Sequence, residues 1–462
     1  MKKSNDSSVK AAVENYDCQC VPPQFRKLHN QGRRVFVDCT QALAAPMRSG
    51  ISRVVRNIIK HGAAAAGRHH AVLIPVRFDA GFFIPVEISP DGEMVDPKAK
   101  RQRPEHPFVR RLRKLLYPKT IVNAARAAWR RLLWHPSSPT AVRFIQGDTL
   151  LLADSSWSVN FWSEIAEARH IGTRIGVVQY DFIPHTHPQM VSAKLTQIFR
   201  RWMRKTLGCA DFIAAISETV AEQTRAFLGE IGRSDADRPI VRSFRPGADF
   251  TASNDNEPQH LRQELVAFIE SAQRGPYLTV GTVEPRKNQG MLLESFEQVW
   301  REVPNARLLI AGFAGWHSEV VLKRFREHPR WQTHILHFPD LSDAELRYAY
   351  SRSKALLFPS QAEGYGLPVV EALMQQMPVF ASDIPVHREV GGSCCVFFPP
   401  LDSQTLANQI IGFERTGLFP VEKQRKDFTP PTWQLAVQEL TDIAFGVSMS
   451  ESGSHLATHK AA

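Results

Sequence analysis

Between Ser360 and Leu373 the chain reads SQAEGYGLPVVEAL, which places two carboxylates, Glu363 and Glu371, eight residues apart. Gly364, Tyr365, Gly366, Leu367 and Pro368 lie between them. Ala355–Phe358 is an apolar run of strand length, and a proline at the first helical position forfeits no hydrogen bond. The spacing therefore predicts a strand, a glycine loop and a helix opening at Pro368. Glu371 then falls in the first helical turn, where the dipole favours a carboxylate, while Glu363 stays in the loop. The amides from Gly364 to Leu367 would lie at the positive helix end, a natural seat for phosphate that glycines let approach closely. The pocket reads as one for a phosphate plus a polyol. A glutamate at a helix start also serves simply to offset the dipole, so the stretch gains weight only from what accompanies it.

That company is Arg286 and Lys287, which follow a predicted strand, Tyr277–Val280, and a turn at Gly281. If both loops project from one sheet edge, cations and carboxylates meet around one ligand. Arginine and lysine neutralise a diphosphate, and a carboxylate accepts two hydroxyls of a sugar or ribose. Together they outline a nucleotide-sugar site.

The elements that must position these groups alternate strand and helix. In the first half, Arg34–Cys39, Ala71–Arg77, Asp148–Ala153, Arg174–Gln179 and Asp211–Ile216 read as strands. Ser49–Lys60, with Ile51, Val54, Val55, Ile58 and Ile59 at helical spacing, follows the first strand, and Gly50 stands at the corner between them. Ser217 reads as the cap of a helix over Glu218–Leu228. Asp181 sits where a strand ends, the edge at which open α/β sheets bind ligands. The prolines at Pro184 and Pro188 predict neither strand nor helix there. After a polar stretch, Thr251–Pro258, the same rhythm resumes. The implied architecture is α/β, with two Rossmann-like, doubly wound parallel-sheet domains facing a cleft. The expected division is a loose extension over 1–32, a first domain over 33–250, a linker over 251–275, a second domain over 276–425, a C-terminal helix over 426–445 crossing back onto the first domain, and a disordered tail over 446–462.

With 462 residues the chain has length for two or three domains with real cores. The 57 Lys and Arg against 46 Asp and Glu give a formal charge of +11, which favours an acidic partner such as a nucleotide, a lipid phosphate or an anionic membrane. A basic insertion over about 98–134, interleaved with leucines and with Trp129 and Trp134, suits an anionic bilayer or, equally, a solvated helical insertion. No zinc-finger spacing or RNA-binding aromatic run occurs, so nucleic acid is not expected. Six scattered cysteines read as reduced thiols. His185 and His187 lack a third ligand at suitable spacing, Asp235 and Asp237 read as a solvated loop, and no metal site is expected. No run of eighteen apolar residues occurs. The expectation is a cytoplasmic protein that at most touches the inner face of the membrane.

From Gly281 to about Pro400, and more loosely from Arg34 to Asp249, the chain resembles the retaining glycosyltransferases of the GT-B fold, family 4, which include many mannosyltransferases. The stretches that carry the resemblance are VGTVEPRKN at Val280–Asn288, LLIAGFAGW at Leu308–Trp316, PSQAEGYGLPVVEAL at Pro359–Leu373, and the SGISRVV and YDFIPHTHP segments of the first half. The resemblance implies that Lys287, assisted by Arg286, binds a donor diphosphate and that Glu371 holds the ribose. It implies that Glu363 and the amides of Gly364, Tyr365, Gly366 and Leu367 engage the transferred sugar and phosphate, with Gly281 beside them. Gly50, Arg53 and Asp181 would face the cleft from the acceptor side. A retaining transfer in this fold needs no metal and no cofactor: the nucleoside-diphosphate sugar is a substrate. Family frequency points first to GDP-mannose, with a saccharide or polyprenyl-linked saccharide as acceptor. The chain departs from many relatives at Tyr180, where a histidine is common, and at Gln376 and Met377, before Pro378, where a Gly-Thr step is common. Two rival readings stand beside this one. The two glutamates could serve a glycoside hydrolase as acid and base, or the chain could be a non-catalytic basic scaffold on membrane or nucleic acid.

Overall fold

The computed structural model describes residues 33–44, 50–79, 81–95, 141–233, 237–249, 261–272, 274–422, 427–429 and 431–446. The basic insertion over about 98–134, the extension over 1–32, Asp235 and the tail beyond Gly446 lie outside the described residues.

The first half builds a seven-stranded sheet from β1 (Arg33–Asp38), β2 (Ala71–Asp79), β3 (Phe82–Pro85), β6 (Thr149–Leu152), β7 (Arg174–Gln179), β8 (Phe212–Ala215) and β9 (Ile240–Ser243). Their spatial order is β3-β2-β1-β6-β7-β8-β9, parallel except for the edge hairpin of β2 with β3. A separate two-stranded ribbon pairs β4 (Glu87–Ile88) with β5 (Met94–Val95). The helices here are α1 (Thr40–Ala44), α2 (Gly50–Gly67), α3 (Trp162–Ile171), α4 (Ile183–Thr186), α5 (Ala193–Cys209) and α6 (Glu218–Glu230). α2 buries Val54, Val55, Ile58 and Ile59, the stripe its sequence spacing predicts. Pro184 is accommodated in α4 after all, because it occupies the first turn, where its missing N–H is not needed. β9 and α3 escape sequence reading: β9 is an exposed edge of only four residues, and α3 buries little beyond Ile165 and Ala168.

The second half opens with α7 (Gln263–Glu270), inside the stretch read as linker; its Leu265, Phe268 and Ile269 belong to the second core. The sheet follows with β10 (Tyr277–Val280), β11 (Leu308–Ala311), β12 (Ile335–Phe338), β13 (Ala355–Phe358), β14 (Val379–Ser382) and β15 (Val396–Phe398), in the order β12-β11-β10-β13-β14-β15 and parallel throughout. Its helices are α8 (Gln289–Glu302), α9 (Glu319–Arg326), α10 (Asp343–Arg352), α11 (Leu367–Met374), α12 (Pro385–Gly391) and α13 (Ser403–Thr416). The strands are continuous apolar runs because both faces are covered. Along β13, Ala355 and Leu357 face one core while Leu356 and Phe358 face the other. A last helix, α14 (Trp433–Phe445), packs on α2, and Trp433, Ala436, Val437, Leu440 and Ile443 join the first domain's core. Thr432 caps it, and its first amide, Trp433 N–H, donates to Asp249 Oδ1 at 2.7 Å.

In both sheets the strand order reverses between neighbours that carry the first βα loop: β1 and β6 in one, β10 and β13 in the other. Ligands of open α/β sheets bind at such switch points.

Candidate functional site

The β10 edge delivers the cations. After Gly281 the chain makes a short 3-10 turn, Pro285–Lys287, and Asn288 enters α8 from the left-handed region at φ 55°. Asn288 Nδ2 anchors that corner by donating to Pro400 O at 2.9 Å. The neighbouring β13 loop is tied to it through the backbone, Gln361 N–H donating to Arg286 O at 2.8 Å. Arg286 and Lys287 therefore meet Glu363 directly: Lys287 Nζ lies 2.5 Å from Glu363 Oε1, and Arg286 Nη1 lies 2.9 Å from Oε2. Arg286 also binds Glu284 at 2.7 Å. Lys287 rests over the Phe358 ring at 4.8 Å and beside Gly281, where a Cβ would stand only 3.4 Å from Lys287 Cε. Gly281 has φ 137°, so it supplies both the backbone shape and the room the lysine occupies.

Burial pushes the Glu363 carboxyl up, but Lys287 and Arg286 outweigh it and hold the group down to about 2. Burial lowers Lys287 from its ordinary value, with Glu363 opposing. The triad is a buried, ionised cluster with one positive charge in excess, before Glu284 is counted.

Glu371 differs from expectation. α11 begins at Leu367, so Pro368 is its second residue and Glu371 its fifth, in the second turn rather than the first. It is 2% exposed and does not offset the helix end. Instead its carboxylate accepts from Tyr350 Oη at 2.7 Å and pairs with Arg53, which reaches across from α2. Arg53, expected on the acceptor side, is thus an interdomain partner of the residue expected to hold ribose. Tyr350 gave no signal in the sequence beyond an aromatic in a helix.

The glycine loop is also an interdomain element. Ser217 Oγ, which caps α6 by accepting Val220 N–H, donates to Gly364 O at 2.8 Å. A Cβ on Gly364 would lie 2.0 Å from Tyr180 O. Tyr365, expected beside the donor, buries its side chain in the first domain's apolar cluster, and that burial raises its hydroxyl above the ordinary range. Glu389 of α12 completes the seam by accepting Glu218 N–H at 2.6 Å and Thr219 N–H at 2.8 Å at the start of α6. Tyr180 itself donates to Ala153 O at 2.6 Å, so this expected departure from the family pattern is a buried structural group.

Between the domains lies a cavity of about 550 Å³, within the range of small-molecule sites. Gly50, Arg53 and Asp181 line it from the first domain, facing Gly281, Arg286, Lys287, Glu363 and Glu371 from the second. The sequence-selected residues thus share one cleft. Asp181 Oδ1 caps the next turn by accepting Ile183 N–H at 2.9 Å; burial raises its carboxyl, with Arg286 opposing. Gln376 adopts a positive φ of 54° and Met377 is buried, so the segment expected to depart from the family pattern is an αL turn closing α11.

A second carboxylate pair sits at the other switch point and was not legible in the sequence. Asp38 ends β1 and accepts from Thr40 Oγ1 at 2.5 Å and Ser156 Oγ at 2.7 Å; Asp154 follows β6 and accepts from the Gln41 and Ala42 amides at 2.6 and 2.7 Å. Burial, then Asp154, pushes Asp38 up to about 6. Among the described residues no three His, Cys, Asp or Glu side chains form a metal-holding group, and no helix is long and apolar enough to cross a membrane.

Two facing doubly wound domains with a basic, carboxylate-bearing cleft define the GT-B class of fold. Residues 270–429 match the family model of glycosyl transferases group 1. The chain is 31% identical over 263 residues to the serotype-specific mannosyltransferase WbdA of Escherichia coli, covering 56% of this chain and 32% of that one. It is 27% identical over 214 residues to the Escherichia coli O-antigen chain mannosyltransferase B, covering 46% of this chain and 54% of that one. The chain thus spans about a third of the length of the first of these relatives. The fold is similar to that of sucrose-phosphate synthase from Thermosynechococcus elongatus, at TM-score 0.57 and 15% identity over 90% of this chain and 99% of that one. It is also similar to HepE of Anabaena in complex with UDP-glucose, at TM-score 0.51 and 14% identity over 88% and 94% of the two chains.

Proposed function

We propose that this protein is a retaining, metal-independent glycosyltransferase of family 4 that moves a hexose from a nucleoside-diphosphate sugar to a saccharide or polyprenyl-linked saccharide in polysaccharide assembly. The observation that carries the reading is the Arg286–Lys287–Glu363 cluster at the β10/β13 switch point, next to the amides that open α11. A diphosphate entering there meets two preorganised cations and a helix N-terminus in a site of low dielectric, where they stabilise a leaving diphosphate most strongly. Glu363, freed in part from Lys287, then accepts sugar hydroxyls, and Glu371 shares its carboxylate between the ribose and Arg53. The acceptor hydroxyl attacks from the face the diphosphate leaves, with a phosphate oxygen taking its proton and the first domain presenting Asp181 across the cleft. Mannose carried on GDP is the first choice of donor, in line with the mannosyltransferases the chain is similar to.

A hydrolase using the two glutamates needs one of them protonated at working pH. Glu363, held near 2 by Lys287 and Arg286, is ionised at neutral pH, and Glu371 is engaged by a phenol and a guanidinium rather than free in the cleft, which speaks against an acid and base pair.

The test is calorimetric binding of GDP, UDP, dTDP and ADP and their sugars in EDTA to the wild type and to Lys287→Ala. Tight, metal-free binding of one nucleotide that is lost in the variant supports the reading and names the base. Binding by none, or undiminished turnover in Lys287→Ala, overturns it.

A further inference from the structure

His387, on α12, is buried completely beneath the glycine loop. The edge of its ring carrying Cδ2 and Nε2 lies against Gly366, at 3.6 and 3.8 Å from where a Cβ would stand, and its face leans on Phe358 at 5.1 Å between centroids. Phe358 carries the Lys287 ammonium against its own ring. The imidazole is therefore packed under the residue that opens α11.

Its hydrogen bonding fixes the tautomer. The Ser382 hydroxyl donates to Ser360 O, so its proton is already used. Nδ1 lies 2.9 Å from Ser382 O, a group that can only accept, so Nδ1 carries the hydrogen. Nε2 is left with a lone pair, and no hydrogen-bond partner reaches it among the described residues. The Ser360 hydroxyl, at the start of the same loop, is buried and unpartnered as well. An unpaired buried polar atom costs free energy, and such atoms in a folded protein call for an explanation such as a ligand contact.

The charges that act on His387 come from the site. Glu363 of the β13 loop favours its proton, and Lys287 of the 3-10 turn opposes it. On its own helix, Arg388 is tied to Asp383 and Glu389 to the α6 amides. Burial dominates and holds the imidazole down to about 4, so it is neutral at pH 7 without ligand. A diphosphate at the α11 amides would add negative charge beside it, which favours the protonated ring against burial.

Resting on the donor reading above, we propose that His387 is a donor-binding residue: Nε2 takes up one proton from solvent when the anionic donor settles at the start of α11, and then donates a hydrogen bond to its phosphate. The α11 N-terminus alone would bind an anion without proton exchange; the unpartnered Nε2 makes binding proton-coupled. Affinity then weakens as pH rises from the free-state towards the bound-state pKa of His387, approaching about tenfold per pH unit for one linked proton, and levels off above the bound-state value.

The experiment is calorimetry of GDP-mannose, with UDP-glucose alongside, at pH 7 in buffers of low and high ionisation enthalpy. An intact nucleotide sugar has no phosphate that titrates near neutrality, so any proton taken up belongs to the protein. The expected result is uptake approaching one proton per site in the wild type and close to none in His387→Gln, whose pH profile of affinity is flat. Histidine Cε1 NMR of the unaltered protein provides a readout independent of the variant's folding: one buried imidazole signal moves to the imidazolium position on adding donor. Binding with a buffer-independent enthalpy, or equal uptake in His387→Gln, overturns the role of His387 and leaves the donor reading intact. Binding of neither sugar overturns both.

Discussion

At Gly364 the second domain packs directly on the backbone of the first, and Gly364→Ala tests whether that contact assembles the site. An alanine Cβ would lie 2.0 Å from Tyr180 O, 3.1 Å from Tyr180 C and 3.2 Å from Asp181 Cβ, whereas ordinary contact begins at 3.4 Å. The first obstacle is a backbone carbonyl, which has no rotamer to yield, so the seam must open by more than an ångström. Overpacking of this kind costs about 1–3 kcal/mol. Opening also breaks the Ser217–Gly364 bond, worth a net ~0.5–1.5 kcal/mol. The sum is about 1.5–4.5 kcal/mol of interdomain stability. The cations and the α11 amides all belong to the second domain, so nucleoside-diphosphate affinity should stay within a few-fold of wild type. Asp181 and Arg53 belong to the first, and a misplacement of about 1 Å at a reacting centre costs on the order of a hundredfold in rate.

Scanning calorimetry and donor-sugar turnover measure the two effects separately. Gly412→Ala is the control: it lies in α13 with nothing within 4 Å of a new Cβ, and alanine there gains about 0.5–1 kcal/mol of helix propensity. A Gly364→Ala protein that melts and turns over like the wild type would refute the claim that the close approach of Tyr180 assembles the cleft. So would a loss confined to nucleotide binding.

Three further outcomes follow from the buried charges. Glu363→Gln leaves Lys287 and Arg286 facing one another without their shared carboxylate, which should cost about 3–5 kcal/mol in the unliganded protein; a nucleoside diphosphate should raise its melting temperature by more than it raises the wild type's, and an equal rise would contradict that. Asp38, raised from 3.8 to about 6, binds its proton more tightly folded than unfolded. Its contribution is therefore present below pH 4 and is lost as pH climbs through 6, a loss of roughly 3 kcal/mol; urea midpoints of wild type and Asp38→Asn across pH 4 to 7 should converge at the acid end and separate at the neutral end. Arg34→Ala strands Asp148, which is 2% exposed and bound by Arg34 Nη2 at 2.6 Å, and should cost about 3–5 kcal/mol in urea denaturation; a change under 1 kcal/mol would show that water reaches the carboxylate.

What the sequence made legible is what the strands and the helix-start chemistry carry locally. β7, β10 and β13 fall at their expected bounds because each is an unbroken apolar run closed by a turn. Arg286, Lys287 and Glu363 meet because their loops leave adjacent strands, a consequence of strand order that periodicity alone does not give. The start of α11 was displaced by one residue because Leu367, whose side chain leans on the first domain's core, satisfies the helix as well as proline does. That residue matters: it moves Glu371 out of the reach of the helix dipole and into that of Tyr350 and Arg53.

The interdomain seam was illegible for a different reason. Its contacts run through groups that every sequence possesses, the Gly364 and Tyr180 carbonyls and the first amides of α6, together with two side chains, Ser217 and Glu389. Ser217 was visible only as a helix cap, and its second bond depends on where another domain lies. Tyr365 illustrates the same limit from the opposite side. In the string EGYG it reads as a donor contact, yet the core it fills belongs to the first domain. A residue between two glycines is free to point either way, and the docking of the domains selects the direction. The loop thus takes the direction of its one large side chain from the partner domain, while the cations and the helix start beside it stay within the second.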